Sequence, residues 1–372
     1  MQPSVANVLR PLFVGAFNDH ERKQVTLASA RADAVPRFHV RGASAKHELQ
    51  ELEEVPHCIV LSWGLEDLES FIGWIRGEAR FFGVPIMVEV PAANDRFFTL
   101  SHAHGADDVL VAGDSGGLTR RLANLRGTTQ NEKPPTNQGK VVIAHAEERR
   151  RRVLGRTMRL AGFDVHFADS IATFSNVIKE NTFTLGIVSL EIPNGGASIA
   201  LDSVSDQFPV IVLDTGTKSS AQSLNPAAVS NEEDPADNLL FLANELLRPD
   251  VRNIRASDRL LHGTICAFRR AGDLDPVFGL TYNISREGLF VRTLDAPPTS
   301  QLLWFEMRPP GLRDAVHLRG EVMWCRDLHG PGGAAPPGFA MRIDLESCPP
   351  GDHQAYVAAY EELRSSVYGT SP

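Results

Sequence analysis

Cysteine is scarce in this sequence. Four residues (Cys58, Cys266, Cys325 and Cys348) are scattered over 372 positions with no CxxC pair, which offers neither a zinc site nor a disulfide framework. An excess of basic charge is also missing. With 37 Lys and Arg against 46 Asp and Glu the net charge is −9, which argues against wholesale binding to nucleic acid or to an anionic membrane. No apolar run approaches the roughly 18 residues of a bilayer-spanning helix. The opening MQPSVANVLRPLF has no basic region followed by a long apolar run, so no signal peptide is expected. What is present, 42% hydrophobic and 22% charged residues, is ordinary for a soluble protein with buried cores. At roughly 150 residues per domain the length suits two or three domains. The expectation is a reduced, cytoplasmic, multi-domain protein with no membrane insertion.

Two breaks divide the chain. Residues 127–139, GTTQNEKPPTNQG, are polar, carry a Pro-Pro pair and have no apolar period, as a linker does. A second break falls at Arg248-Pro249-Asp250, where a helical pattern over Asp237–Leu247 stops at a proline. Before each break, short apolar runs alternate with amphipathic stretches. In the first segment the runs are Leu12–Ala16, Phe38–Val40, Cys58–Trp63, Val84–Val90 and Asp108–Ala112, with a helix pattern within Leu65–Phe82. In the second they are Lys140–Ala144, Asp164–Phe167, Thr184–Leu190, Phe208–Leu213 and Ala227–Ser230, with helices at Glu147–Ala161 and Ile171–Lys179. Continuous apolar strands alternating with helices predict a parallel sheet covered on both faces, and five such units suit a flavodoxin-like, doubly wound α/β domain. The two segments read as an internal repeat, Leu12-Phe13-Val14-Gly15 lying over Val141-Val142-Ile143-Ala144.

The third segment changes period. Short alternating runs at Gly263–Phe268, Gly279–Tyr282, Gly288–Thr293, Ser300–Met307, Val316–Trp324 and Gly338–Ile343, separated by Gly, Pro and Asp clusters, predict a small antiparallel β-barrel. A helix over His353–Val367 closes the chain.

The first two segments resemble response-regulator receiver domains, through strand order and the phrase Gly105-Ala106-Asp107-Asp108-Val109-Leu110. The resemblance implies an acidic pair for Mg²⁺, a phosphoacceptor aspartate and a lysine. Here the acidic pair maps to Ala16 and Phe17 and to His145 and Ala146, the phosphoacceptor to Ser62 and Ser189, and the lysine near Ala112 and Asn231. Phosphoryl transfer needs a carboxylate nucleophile and a cation to offset charge, so both domains are expected to be unable to accept phosphoryl and to hold no metal. Their remaining use is to bind other proteins or each other, which leaves a homodimer open.

A sharper pattern lies ahead of the barrel. Arg255 and Arg259 are four apart, and Asn283, Ser285 and Gly288 come one strand later. Guanidinium forks match phosphate oxygens and the O6/N7 edge of guanine. The Asn283 amide carbonyl can accept from a guanine N–H, the Ser285 hydroxyl suits phosphate or ribose, and Gly288 permits a turn or a close backbone approach. The same residues read blandly as an exposed arginine pair, solvated or bridged to Asp258, and a hairpin turn.

In this order the residues resemble the PilZ domain family, marked by RxxxR and then [DN]xSxxG, with Gly320–Trp324 and Gly338–Ile343 as further matching strands. Two positions depart from the pattern: Ile254 stands where another arginine often precedes the first motif arginine, and Asn replaces Asp at 283. The resemblance implies a receptor for cyclic di-GMP, with Arg255, Arg259, Asn283, Ser285 and Gly288 as ligand contacts and Trp324 as a lesser candidate for packing near a base. It further implies a non-enzymatic signalling protein without a cofactor, acting on motility or surface behaviour. The domains expected are 9–126, 140–248 and 250–366. The alternative is a nucleotide-independent interaction scaffold with a degenerate PilZ domain. The run Glu147-Glu148-Arg149-Arg150-Arg151-Arg152 reads as the solvated start of a helix rather than a nucleic-acid contact, and His102 and His104 as surface residues.

Overall fold

The computed structural model describes residues 8–52, 54–126, 138–204, 207–216, 221–249, 255–328 and 335–368. Most of the expected linker (127–137) and the motif neighbour Ile254 lie outside the described residues. The first unit comprises β1 (Pro11–Val14), α1 (Asp19–Arg31), β2 (Arg37–His39), α2 (Gly42–Glu51), β3 (Cys58–Ser62), α3 (Leu68–Gly77), β4 (Ile86–Val90), α4 (Asp95–Ala103), β5 (Asp108–Val111) and α5 (Ser115–Leu125). Its parallel strands lie in the order β2-β1-β3-β4-β5, which is the flavodoxin-like order. Helices on both faces leave no side of β3 in water, which is why Cys58-Ile59-Val60-Leu61 is an unbroken apolar run. Local signals set the helix starts: a capping box of Asn18 and Glu21 opens α1, and Asn94 and Asp114 cap α4 and α5.

The second unit repeats the plan with β6 (Lys140–Ala144), α6 (Glu148–Leu160), β7 (Asp164–Ala168), α7 (Ile171–Glu180), β8 (Leu185–Ser189), α8 (Gly196–Val204), β9 (Val210–Asp214), β10 (Ala228–Asn231) and α9 (Asn238–Leu247). Its order, β10-β9-β8-β6-β7, is the same topology. The copies differ between the last two strands. There the described residues of the second unit form only a 3₁₀ turn, Ala221–Leu224, where the first unit has α4.

The third unit is antiparallel: β11 (Leu260–Leu261), β12 (Ile265–Arg270), β13 (Val277–Ser285), β14 (Gly288–Arg292), β15 (Leu302–Met307), β16 (Val316–Arg326), β17 (Gly338–Ile343) and α10 (Pro350–Tyr368). The sheet order β11-β13-β12-β15-β16-β17-β14 closes into a barrel because β14 also pairs with β13. Inward positions alternate along β15, where Leu303, Phe305 and Met307 are buried and Leu302, Trp304 and Glu306 are not. Phe268 and Phe339 meet edge to face inside, 5.0 Å apart. Helix α10 plugs one end. The Tyr356 hydroxyl donates to the carbonyls of Ser285 (2.7 Å) and Gly288 (3.1 Å), and the Tyr360 hydroxyl to that of Asp258 (2.9 Å).

The first unit folds back onto the barrel. The Asp108 carboxylate accepts from Arg121 Nε (2.7 Å) in its own unit and from the Leu294 N–H (2.7 Å) of the barrel. Asp95 accepts from Thr264 Oγ1 (2.9 Å) and the Ile265 N–H (2.6 Å). Between the first two units, α3 packs on α6, and Asp107 joins Arg76 (2.7 Å) to Arg156 (2.8 Å) across the contact. Arg149, Arg150 and Arg152 at the start of α6 belong to this interface rather than to a solvated face, while Arg151 turns back on the carbonyls of His145 and Ala146. Gly73 and Gly77 leave room on α3 for the side chains of Arg149 and Arg152, which a Cβ at either glycine would strike, and Arg149 pairs with Glu69 at 2.6 Å. His102 is likewise buried rather than on the surface, its Nδ1 3.2 Å from the Ala106 carbonyl oxygen.

Candidate functional site

A cleft of about 430 Å³ opens where α9 of the second unit crosses the mouth of the barrel. Two strand irregularities shape it. The β13–β14 register shifts between Thr281 and Asn283, and the β16–β17 register between Val322 and Trp324. Each bulge inserts one extra residue, Tyr282 and Met323, and both side chains line the cleft. A bulge bends its strand and re-aims the residues beyond it, so Asn283 and Trp324 stand on the rim just after the two bends.

All six residues singled out in the third segment line this one cleft: Arg255, Arg259, Asn283, Ser285, Gly288 and Trp324. Their situations differ. Arg255 Nη1 is ion-paired to Glu245 of α9 at 2.6 Å, not to Asp258, which pairs instead with Arg364 (2.8 Å). Among the described residues, neither the Arg259 guanidinium nor the Asn283 amide has a hydrogen-bond partner. Partial desolvation lowers the pKa of Arg259, and repulsion from Arg255 adds to this, against the attraction of Glu245. That repulsion is relieved by an anion. The Ser285 hydroxyl donates to the Gly288 carbonyl at 3.1 Å and so closes the hairpin, leaving its oxygen to accept. The demand for glycine at 288 comes from strand pairing: a Cβ there would strike the Met341 carbonyl oxygen of β17. Trp324 is 39% exposed and tilts against Phe290, ring centres 5.1 Å apart, an open aromatic face beside the arginines.

Sequence reasoning missed the opposite wall. Phe241, Asn244, Glu245 and Arg248, from α9 and its end, complete the cleft, with Arg342 on the barrel side. Arg248 donates to Gln138 (2.7 Å) and Arg342 is paired with Glu321 (3.0 Å). Four arginines thus face two glutamates, Glu245 and Glu287, which leaves the cleft positive in a protein whose net charge is negative. The helical period of Asp237–Leu247 and its nearness to Arg255 were the available signals, but neither says which surface the helix meets.

The receiver-like positions are built differently. Ser62 and Ser189 end the central strands β3 and β8. In the second unit Ser189 Oγ donates to Glu232 at 3.4 Å, and His145 Nε2 makes a close contact with the same carboxylate. Glu232 is held below the usual carboxylate range: burial would raise it, but the hydrogen bond and charge of His145 outweigh that. An internal His–Glu pair therefore occupies the strand ends. Among the described residues no group of three or more His, Cys, Asp or Glu side chains converges as a metal site would require, and no helix is long and apolar enough to cross a membrane.

A family model described as the PilZ domain matches residues 253–354. No curated protein matches the sequence. Among solved structures, the PilZ domain of YcgR from Escherichia coli with c-di-GMP is 13% identical and covers 32% of this chain and 99% of that one, with a TM-score of 0.23. The inhibitor of motility MotI/DgrA from Bacillus subtilis is 15% identical and covers 31% of this chain, which spans about half (53%) of that structure, with a TM-score of 0.26. A probable two-component system response regulator/GGDEF domain protein is 12% identical and covers 65% of this chain and 98% of that one, with a TM-score of 0.31. At such scores the fold rests on the strand orders given above. With the family match and the closed barrel in agreement, this chain carries a PilZ domain at residues 253–354 behind two receiver-like α/β domains.

Proposed function

We propose that the protein is a non-enzymatic cyclic di-GMP effector in which the cleft between α9 and the barrel binds the dinucleotide. The observation that carries this reading is the meeting of Arg255, Arg259, Asn283, Ser285, Gly288 and Trp324 around one positive cleft, with Arg259 and Asn283 unpaired among the described residues. Its volume lies within the roughly 300–1,000 Å³ of small-molecule sites. Arg259 takes a phosphate or a guanine O6/N7 edge with its free fork. The Asn283 carbonyl accepts from guanine N1–H or N2–H, and Trp324 lies against a base. The receiver-like domains, with Ser62 and Ser189 in place of acceptor aspartates, work without phosphorylation and present surfaces to protein partners. We take the domains as 9–126, 140–248 and 250–366, and the output as motility or surface behaviour in the cytoplasm.

Titration calorimetry of the full chain with cyclic di-GMP tests this. Binding is expected, and Arg259→Ala should weaken it by at least about tenfold, the value of a charge-assisted bidentate contact. Absence of heat at high protein concentration, or equal affinity of Arg259→Ala, would overturn the reading. One observation favours the second reading, a nucleotide-independent scaffold: Arg255 already has an internal partner in Glu245. That reading predicts protein–protein capture unchanged by added nucleotide and by Arg255→Ala.

A further inference from the structure

The two motif arginines face different surroundings. Arg259 has no hydrogen-bond partner among the described residues, whereas Arg255 is held at 2.6 Å by a glutamate from another domain. Both side chains of that pair are withdrawn from solvent, 18% exposed for Arg255 and 13% for Glu245, so salt screens their attraction less than it would on an open surface. To a guanidinium, a carboxylate and a phosphodiester are the same kind of partner, each presenting two oxygens that share one negative charge.

We infer that Glu245 is a built-in competitor for the anionic ligand, an acidic side chain of the second receiver-like domain that occupies the phosphate position at Arg255 and holds affinity down. The inference rests on the proposed function of the cleft. A phosphodiester reaching Arg255 either displaces the carboxylate or lies beside it, and in both cases the negative charge of Glu245 opposes binding. α9 is anchored to the barrel at its first turn, where the Tyr282 hydroxyl donates to the Asp237 carbonyl (2.9 Å) and Arg292 Nη2 to Asn238 Oδ1 (2.6 Å). Glu245 lies about two turns further along, beyond those anchors. Ligand and second domain thus compete for one guanidinium, and linkage requires the effect to be mutual: whatever the domain takes from ligand affinity, the ligand takes from the domain's hold on Arg255.

The test is titration of the full chain with cyclic di-GMP, comparing wild type with Glu245→Gln, Glu245→Ala and Glu287→Gln, with circular dichroism as the folding control. Both changes at 245 keep Arg255 and remove the competing charge, and should tighten binding roughly three- to tenfold. Glu287→Gln removes the same charge from the cleft rim without freeing Arg255 and should gain less than either. Unchanged or weaker binding in both 245 variants, with wild type still binding, overturns the competitor and leaves the proposed function standing. An equal gain from Glu287→Gln reduces Glu245 to bulk charge and also overturns it. No heat from wild type or any variant overturns the proposed function and this inference together.

Discussion

The two receiver-like domains share a strand order and meet the same barrel, yet they grip it in different ways. The first is tied by buried charge. Arg121 is fully buried, bonded to Asp108 at 2.7 Å and 3.8 Å from Asp295, and Asp295 is also reached by Arg120 (2.7 Å) and Arg270 (3.1 Å). Burial pushes the Asp295 carboxyl up in spite of these arginines. Hydrophobic continuity adds to the grip, because Leu280 joins one core of the first domain and Leu294 and Leu328 join the other. Among the described residues the second domain meets the barrel along α9, with a tyrosine hydroxyl, an arginine–asparagine bond and the Arg255–Glu245 pair, and the cleft runs along that contact. A join of buried charge on one side thus contrasts with a few polar contacts beside a ligand-sized opening on the other. The same fold serves as a buttress in one copy and as one wall of the cleft in the other.

The largest effect should come from the buttress. Arg121→Ala leaves Asp108 and Asp295 buried without their central cation, and a loss of about 3–5 kcal/mol is expected. Denaturant unfolding of the full chain reads it, and a loss under about 1 kcal/mol would erase the distinction between the two joins. The next concerns the clamp between the α/β domains. Asp107 is buried, which would raise its carboxyl, but Arg156 and Arg76 hold it down to about 2, below the ordinary 3.8. The folded-state value lies below the unfolded one, so the stabilisation is complete at neutral pH and disappears as pH falls through about 2. It amounts to about 2 kcal/mol. The gap in stability between wild type and Asp107→Asn should therefore be wide at pH 6 and shrink on acidification from pH 4 to pH 2; a gap constant with pH would mean that the ion pairs do not hold the clamp. The smallest effect is expected on the cleft side. Tyr282→Phe deletes one hydrogen bond to the Asp237 carbonyl and keeps the ring, at a cost of about 1 kcal/mol. Hydrogen exchange over residues 238–247 should rise in this variant while α5 keeps its protection.

The parts of this architecture that were legible in the sequence are those with local causes. Lys140–Ala144 and Gly338–Ile343 were bounded correctly because an apolar run and an alternating run each carry their own period. Arg255, Arg259, Asn283, Ser285, Gly288 and Trp324 of the cleft stood out because their types and spacing match a motif, whereas Arg342 carries no such signal. What escaped depends on a partner distant in the chain. The half-buried faces of α9 and α6 look like ordinary amphipathic helices until Glu245 is seen against Arg255 and Arg149 over Gly73. The arginine run was misread as solvated because nothing local announces two glycines on α3. Gly288 was expected to allow a turn or a close backbone approach to a ligand; the close β17 backbone is a further demand for glycine that the sequence does not announce. The two bulges broke the alternation that strand reading relies on, and they did so at the cleft itself.

Asp107 and Asp108 stand side by side where β5 begins, and one fastens the second α/β domain while the other fastens the barrel. Neighbouring residues of an extended chain point to opposite sides, so these two carboxylates work like a two-sided key cut at a single notch. Losing or gaining one residue there would turn both halves of the key at once and present each lock with the wrong blade. The tolerance of this chain to indels should consequently be low at a dipeptide that does not line the cleft.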